Sequence, residues 1–216
     1  MTTAHVHLGP PVARGAAVRR ARLLNRLTLT YNAVEAVVAL AAGVVAGSIS
    51  LIGFGLDSVI EVSASLVLTW RLAAERRGGC TQEADQRATK AIALSFLALA
   101  GYVGLDAASR LVNGERPEAS VVGIALTAVS LAIMPFLARA KRRLAPALGS
   151  RAQEAEANQT RLCAYMSAVV LAGLLANQAF SWWWADPVAA LAIAALALVE
   201  AVRTWRADSL ADTCCA

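Results

Sequence analysis

The sequence predicts an all-α membrane protein, a six-transmembrane-helix bundle with both termini cytoplasmic. Three observations carry that expectation. Hydrophobic residues make up 58 % of the 216 residues and charged residues 16 %. A soluble domain has roughly 45–50 % and about 25 %, so this chain has too little polar surface to clothe a globule in water. Its apolar residues come in blocks of about 20, the length that crosses a ~30 Å hydrocarbon core as a helix. Its lysines and arginines gather on one side of the alternation those blocks define. The blocks must be helices, because lipid offers the backbone no hydrogen-bond partner and the alternation of a barrel strand is absent.

Residues 1–22 read as a cytoplasmic N-terminal tail. "MTTAHVHLGPPVARGAAVRRARLLNR" is polar, proline-broken and then basic, without the apolar core of a cleaved signal peptide. Residues 23–205 form the six-helix transmembrane domain, and 206–216 a short cytoplasmic tail. The first span, about Leu27–Gly47, carries Tyr31, Asn32 and Glu35. Gly43 and Gly47 form a G-x-x-x-G in it, a spacing that is common by chance in an alanine-rich protein. The second, about Ser50–Leu72, lies in "SISLIGFGLDSVIEVSASLVLTW", with Asp57 and Glu61 near its middle. The third is about Ala91–Leu111. The fourth, about Ala119–Ala138, has Glu118 before it and no charge over "ASVVGIALTAVSLAIMPFLA". The fifth is about Arg161–Ser181 and the sixth about Asp186–Val202.

Orientation follows from the flanks. Five Lys or Arg lie in the N-terminal tail through Arg26, five from Arg71 to Lys90, six from Arg139 to Arg161 and two after Val202; the other side holds only Arg110 and Arg116. That asymmetry makes both termini cytoplasmic and leaves "GSIS", "NGERPE" and "SWWWADP" as the outer connections. Trp182, Trp183 and Trp184 then sit where an interfacial aromatic belt is expected. The net charge of +5 belongs to arginines that meet anionic headgroups, so nucleic acid is not an expected partner. An enzyme finds no support: there is no Ser/His/Asp set and no glycine-rich phosphate loop, and both histidines, His5 and His7, are in the tail. The cysteines Cys80, Cys163, Cys214 and Cys215 show no zinc-finger spacing. On this topology Cys80, Cys214 and Cys215 face a reducing cytoplasm, where thiols stay free. Short tails with His5–His7 or Cys214–Cys215 read as unliganded.

Each ionisable group at membrane depth costs about 3 kcal/mol on insertion scales. Asp186 and Glu200 lie near interfaces, where a solvated helix end explains them. Asp106 sits one turn before Arg110, at the spacing of a local ion pair. For Glu35, two turns inside the first span, a structural hydrogen bond and a functional role are both open. Asp57 and Glu61 differ. At i and i+4 they share one helix face, roughly 10 and 16 Å down from Ser50 at 1.5 Å per residue. Two like charges so close repel, so one holds a proton unless a cation sits between them. A divalent metal wants more ligands than two. "EAEANQTRLCAYMSAVVLAG" opens the fifth span with Gln159 and Cys163, again at i and i+4, and Cys163 is the only cysteine inside the membrane.

At these residues the chain resembles the transmembrane domain of the cation diffusion facilitator (cation efflux) family, the metal/proton antiporters. "LDSVIEVSAS" is similar to that family's second-helix motif, with Asp57 and Glu61 at its ligand positions. "EANQTRLCAYMSAVVLAG" is similar to the fifth-helix motif, with Gln159 and Cys163 where the family carries His and Asp. "WWADPVAALAIA" is similar to its entry into the sixth helix. The resemblance covers roughly residues 20–205. It implies a divalent cation transporter, with zinc or a similar transition metal as cargo, driven by protons in alternating access, a homodimer, and residence in a bacterial-type plasma membrane. It implies no prosthetic group, and Asp57, Glu61, Gln159 and Cys163 as the metal ligands, with Cys163 favouring softer ions. The family's cytoplasmic ferredoxin-like domain is not expected here. The divergent fifth-helix pair leaves a second reading open, a non-transporting membrane scaffold that keeps the fold around a degenerate site.

Overall fold

The computed structural model describes residues 11–75, 82–118, 120–148 and 151–206, with side chains described over 19–63, 65–66, 90–118, 120–144 and 157–206. His5, His7, Cys80, Cys214 and Cys215, and the expectations placed on them, lie outside the described residues. Six helices follow one another: α1 (Pro11–Ala46), α2 (Ile49–Glu75), α3 (Gln82–Asn113), α4 (Val121–Leu148), α5 (Arg151–Phe180) and α6 (Ala185–Arg206). No strand occurs among the described residues. Each predicted span lies within or against one of these helices. The helices run well past the spans at one end: α4 continues to Leu148 and α5 begins at Arg151. Hydropathy marks where lipid begins, whereas the Lys-, Arg- and Glu-rich flanks are good helix formers and carry the backbone on.

Among the described residues, five helices are long and apolar enough to cross a membrane: Arg19–Ala46, Lys90–Asn113, Val121–Leu144, Ala157–Phe180 and Ala185–Arg206. The remaining helix, α2, has 27 residues and lies at the centre of the bundle, against α1, α3, α5 and α6. It feeds both apolar cores. Leu51 and Phe54 pack with Ala39, Met134, Met166, Val170 and Leu174. Ile49 packs with Phe96, Leu99 and Val103 of α3 and with the alanine face of α6. Large apolar side chains such as Val37, Leu105 and Phe136 are exposed, as lipid-facing residues are. The chain is an integral membrane protein built as a helical bundle.

The α1–α2 turn shows how the sequence sets the frame. Gly47 has φ +62°, a left-handed conformation that glycine adopts without strain. The Ser48 amide donates to the Gly43 carbonyl at 2.9 Å and the Gly47 amide to Val44 at 3.3 Å, which is a Schellman closure of α1. Ser48 then caps α2, its Oγ accepting from the Leu51 amide at 3.2 Å. The two helices run back antiparallel in near contact. A methyl group on Gly43 would lie 2.9 Å from the Ile52 amide nitrogen, and one on Gly55 3.0 Å from that of Leu40. The G-x-x-x-G thus has two uses, Gly43 for close approach and Gly47 for the turn.

The three short connections meet at one end. Arg110 pairs with Asp106 at 2.7 Å, the predicted i,i+4 ion pair, and also donates to the Gly47 carbonyl at 2.7 Å. The Glu118 amide donates to the Ala46 carbonyl at 2.8 Å, and Asn177 to that of Pro117 at 3.0 Å. Asp186 corrects the sequence reading. It is not a solvated helix end but is fully buried. Its carboxylate accepts from the Ser48 and Ser50 hydroxyls, each at 2.5 Å, and from the Ile49 amide at 3.0 Å. The negative charge lies at the N-terminus of α2, where the helix dipole favours it. Phe180, Trp182 and Trp184 stack in sequence here, with centroid separations of 5.1 and 5.2 Å. Trp182 and Trp184 are exposed, in keeping with an interfacial belt. Toward the other end, Lys141 of α4 is buried rather than spread among headgroups, its Nζ donating to Thr160 of α5 at 3.2 Å.

Candidate metal centre

The antiparallel register of α1 and α2 decides which polar residues meet. Gly43 faces Ile52 and Leu40 faces Gly55; continuing down the pair brings Glu35 to Ser58 and Asn32 to Glu61. Ser58 Oγ donates to Glu35 Oε2 at 2.9 Å, and Asn32 Nδ2 donates to Glu61 Oε2 at 2.5 Å. Asn32, Glu35, Asp57, Ser58 and Glu61 are all buried. Such groups are tolerated away from water only with partners, so the hydrogen bonds define the site.

Glu35 is its hub. Oε1 accepts from Ser130 of α4, whose hydroxyl also meets the Tyr31 hydroxyl at 2.6 Å. Oε2 accepts from Ser58 and, at 3.8 Å, from the Cys163 thiol of α5. One carboxylate from α1 thereby gathers α2, α4 and α5. The sequence shows Glu35 as a buried acid and left its role open; its neighbours come from segments up to 128 positions away.

The four residues expected as ligands are placed unequally. Asp57 and Glu61 are buried one turn apart on α2. Glu61 is bound to Asn32. Among the described residues, both carboxylate oxygens of Asp57, and Asn32 Oδ1, have no hydrogen-bond partner. Cys163 is fully buried; its hydrogen bond goes to Glu35 and not to either α2 acid. Gln159 is half-buried on α5 one turn before Cys163. Among the described residues no three His, Cys, Asp or Glu side chains gather into a ready metal cluster. The arrangement is a polar seam between α1 and α2, closed by α4 and α5 and rich in acceptor oxygens.

The family model described as the cation efflux transmembrane domain matches residues 87–210. The chain belongs to the cation efflux family. The match takes in α3 to α6, more than half of the chain, and with it Gln159 and Cys163; Asp57 and Glu61 lie before it. The chain is also similar to the "Cation-efflux pump FieF" of Shewanella oneidensis, 25 % identical over 182 residues. That similarity covers 80 % of this chain and 60 % of the FieF protein, so the chain spans less than two thirds of that relative's length. A cation efflux domain is a transport module.

Proposed function

We propose that this chain exports a divalent metal cation from the cytoplasm in exchange for protons, with the α2 acids Asp57 and Glu61 as the groups that take up the ion. The observation that carries the reading is Asp57: a buried carboxyl group whose oxygens find no donor among the described residues, one turn from a second acid. A buried acid whose oxygens lack donors, with a second acid one turn away, accepts a proton or a cation, and ligand groups must shed protons to coordinate a metal. Binding from the cytoplasm therefore expels protons, and protons taken up on the far side discharge the ion and neutralise the acids for the return. Cys163 closes the seam from the α5 side by donating to Glu35, and Gln159 lies one turn before it on the same helix. In alternating access the contacts at the short-loop end, Asp186 with Ser48 and Ser50 and Arg110 with Gly47, are those that would have to open for release outward. Both termini are cytoplasmic in this reading. Family membership supports cation transport. The name of the FieF relative supports its direction.

The test is metal flux into proteoliposomes under an imposed pH gradient. The parent is expected to transport and Asp57→Ala to lose at least about tenfold of the flux, as for removal of a residue that supports a metal site. Gradient-driven flux undiminished in Asp57→Ala would sink the proposal. One observation favours a scaffold instead: Glu35, Cys163 and Glu61 are already engaged within the protein, as a structural network would be. That reading requires a parent protein that moves no metal in the same assay.

A further inference from the structure

The polar seam contains a chemical imbalance. The orphaned atoms Asp57 Oδ1, Asp57 Oδ2 and Asn32 Oδ1 are all acceptors. Asp57 is 1 % exposed and Asn32 3 % exposed, so bulk water does not serve them. Buried acceptors in excess of donors are completed by something that brings positive charge. The amide of Asn32 is oriented by its own chemistry: its NH2 group donates to Glu61, because a carboxylate accepts and does not donate. That bond leaves the carbonyl oxygen of Asn32 as a neutral oxygen donor beside Glu61. Cys163 is in the opposite condition. Its sulfur lies 3.8 Å from Glu35 Oε2 as hydrogen-bond donor. A thiolate there would set two anions together in a dry site, and only a thiol carries the proton that the contact needs.

Resting on the cation reading above, we propose that Asn32 is a further ligand of the ion taken by Asp57 and Glu61, that Cys163 is a thiol donor to Glu35 rather than a ligand, and that the site selects a hard, oxygen-preferring divalent cation of the manganese kind. The donor set is then amide oxygen from α1 and carboxylate oxygen from α2. Oxygen ligands suit Mg2+, Ca2+ and Mn2+, while thiolates select softer metals. Three protein side chains also suffice for an ion that keeps part of its hydration, which accords with the absence of a three-residue His, Cys, Asp or Glu cluster among the described residues. The expectation of a soft cargo, drawn from Cys163 in the sequence, is reversed in this assignment.

The experiment titrates the purified full chain with MnCl2 and separately with CdCl2, comparing the parent with Asn32→Ala, Asn32→Asp and Cys163→Ser. The parent is expected to bind Mn2+ at least as tightly as Cd2+, with no ultraviolet thiolate-to-cadmium charge-transfer band. Asn32→Ala is expected to weaken Mn2+ binding by about tenfold. Asn32→Asp, which keeps a ligating oxygen, retains binding and so separates a lost ligand from a lost fold. Cys163→Ser leaves both affinities unchanged. Preference for Cd2+ with a charge-transfer band that Cys163→Ser abolishes overturns the inference and leaves cation carriage standing. Unchanged Mn2+ binding in Asn32→Ala overturns the assignment of Asn32. A parent that binds neither ion overturns this inference, while metal flux in the proteoliposome assay decides the transport reading separately.

Discussion

Glu35 gathers donors from three other helices. Hydroxyls from α2 and α4 and a thiol from α5 donate to it, and Tyr31 reaches it through Ser130. Glu35→Ala would strand those donors in a dry interior, and a buried polar group without its partner costs about 1–3 kcal/mol. A marked fall in the midpoint of thermal unfolding in detergent is expected, with a smaller fall for Glu35→Gln, which keeps the size and one acceptor oxygen. Equal midpoints for Glu35→Ala and the parent would show that the hub carries no load. Asp57 and Glu61 were legible in the sequence because two acids at helical spacing need no partner to be recognised. Glu35 was legible only as a buried polar residue. Its meaning lay in Ser130 and Cys163, and nothing in the residues around position 35 points to them.

At the scale of elements, the α1–α2 hairpin is the part on which the seam depends. Gly43 and Gly55 let the helices approach, and that approach sets the pairing of Asn32 with Glu61 and of Glu35 with Ser58. A Gly55→Val side chain must displace the α1 backbone at Leu40, an overpacking that costs about 1–3 kcal/mol. Lower thermal stability together with loss of metal binding is expected, since parting the helices separates the residues of the seam. The N-terminus of α2 depends on Asp186 in the same way. Asp186→Asn keeps the shape and removes the charge that receives two hydroxyls and an amide. A loss of about 1–2 kcal/mol, the worth of a good cap, is expected in a chemical-unfolding titration. Helix identity in all six elements was readable from hydropathy and length. The Asp186 cap was not, because its partners stand 136 to 138 positions earlier in the chain.

For the whole molecule, the six successive helices put the three short connections at one end, where Arg110, Glu118, Asn177 and Asp186 tie them together. The distribution of Lys and Arg predicts that this end faces outward. A membrane-impermeant maleimide should therefore label the tail cysteines Cys214 and Cys215 in inside-out vesicles and not in right-side-out vesicles, while buried Cys163 resists it in both until the protein is unfolded. Labelling of the tail from outside would reverse the topology.

By itself the sequence determined the class of the protein, the approximate extent of its helices, the gathering of Lys and Arg toward one end of them and the presence of a carboxylate pair in the second. Those properties are sums over neighbouring residues: length, apolar content and i,i+4 spacing are all local. Only the tertiary structure decided that Cys163 turns to Glu35, that Asn32 stands beside Glu61 and that Asp186 is buried at another helix's end. These depend on the rotation and depth of each helix against its neighbours. Close packing between distant segments sets both, and hydropathy carries no record of either.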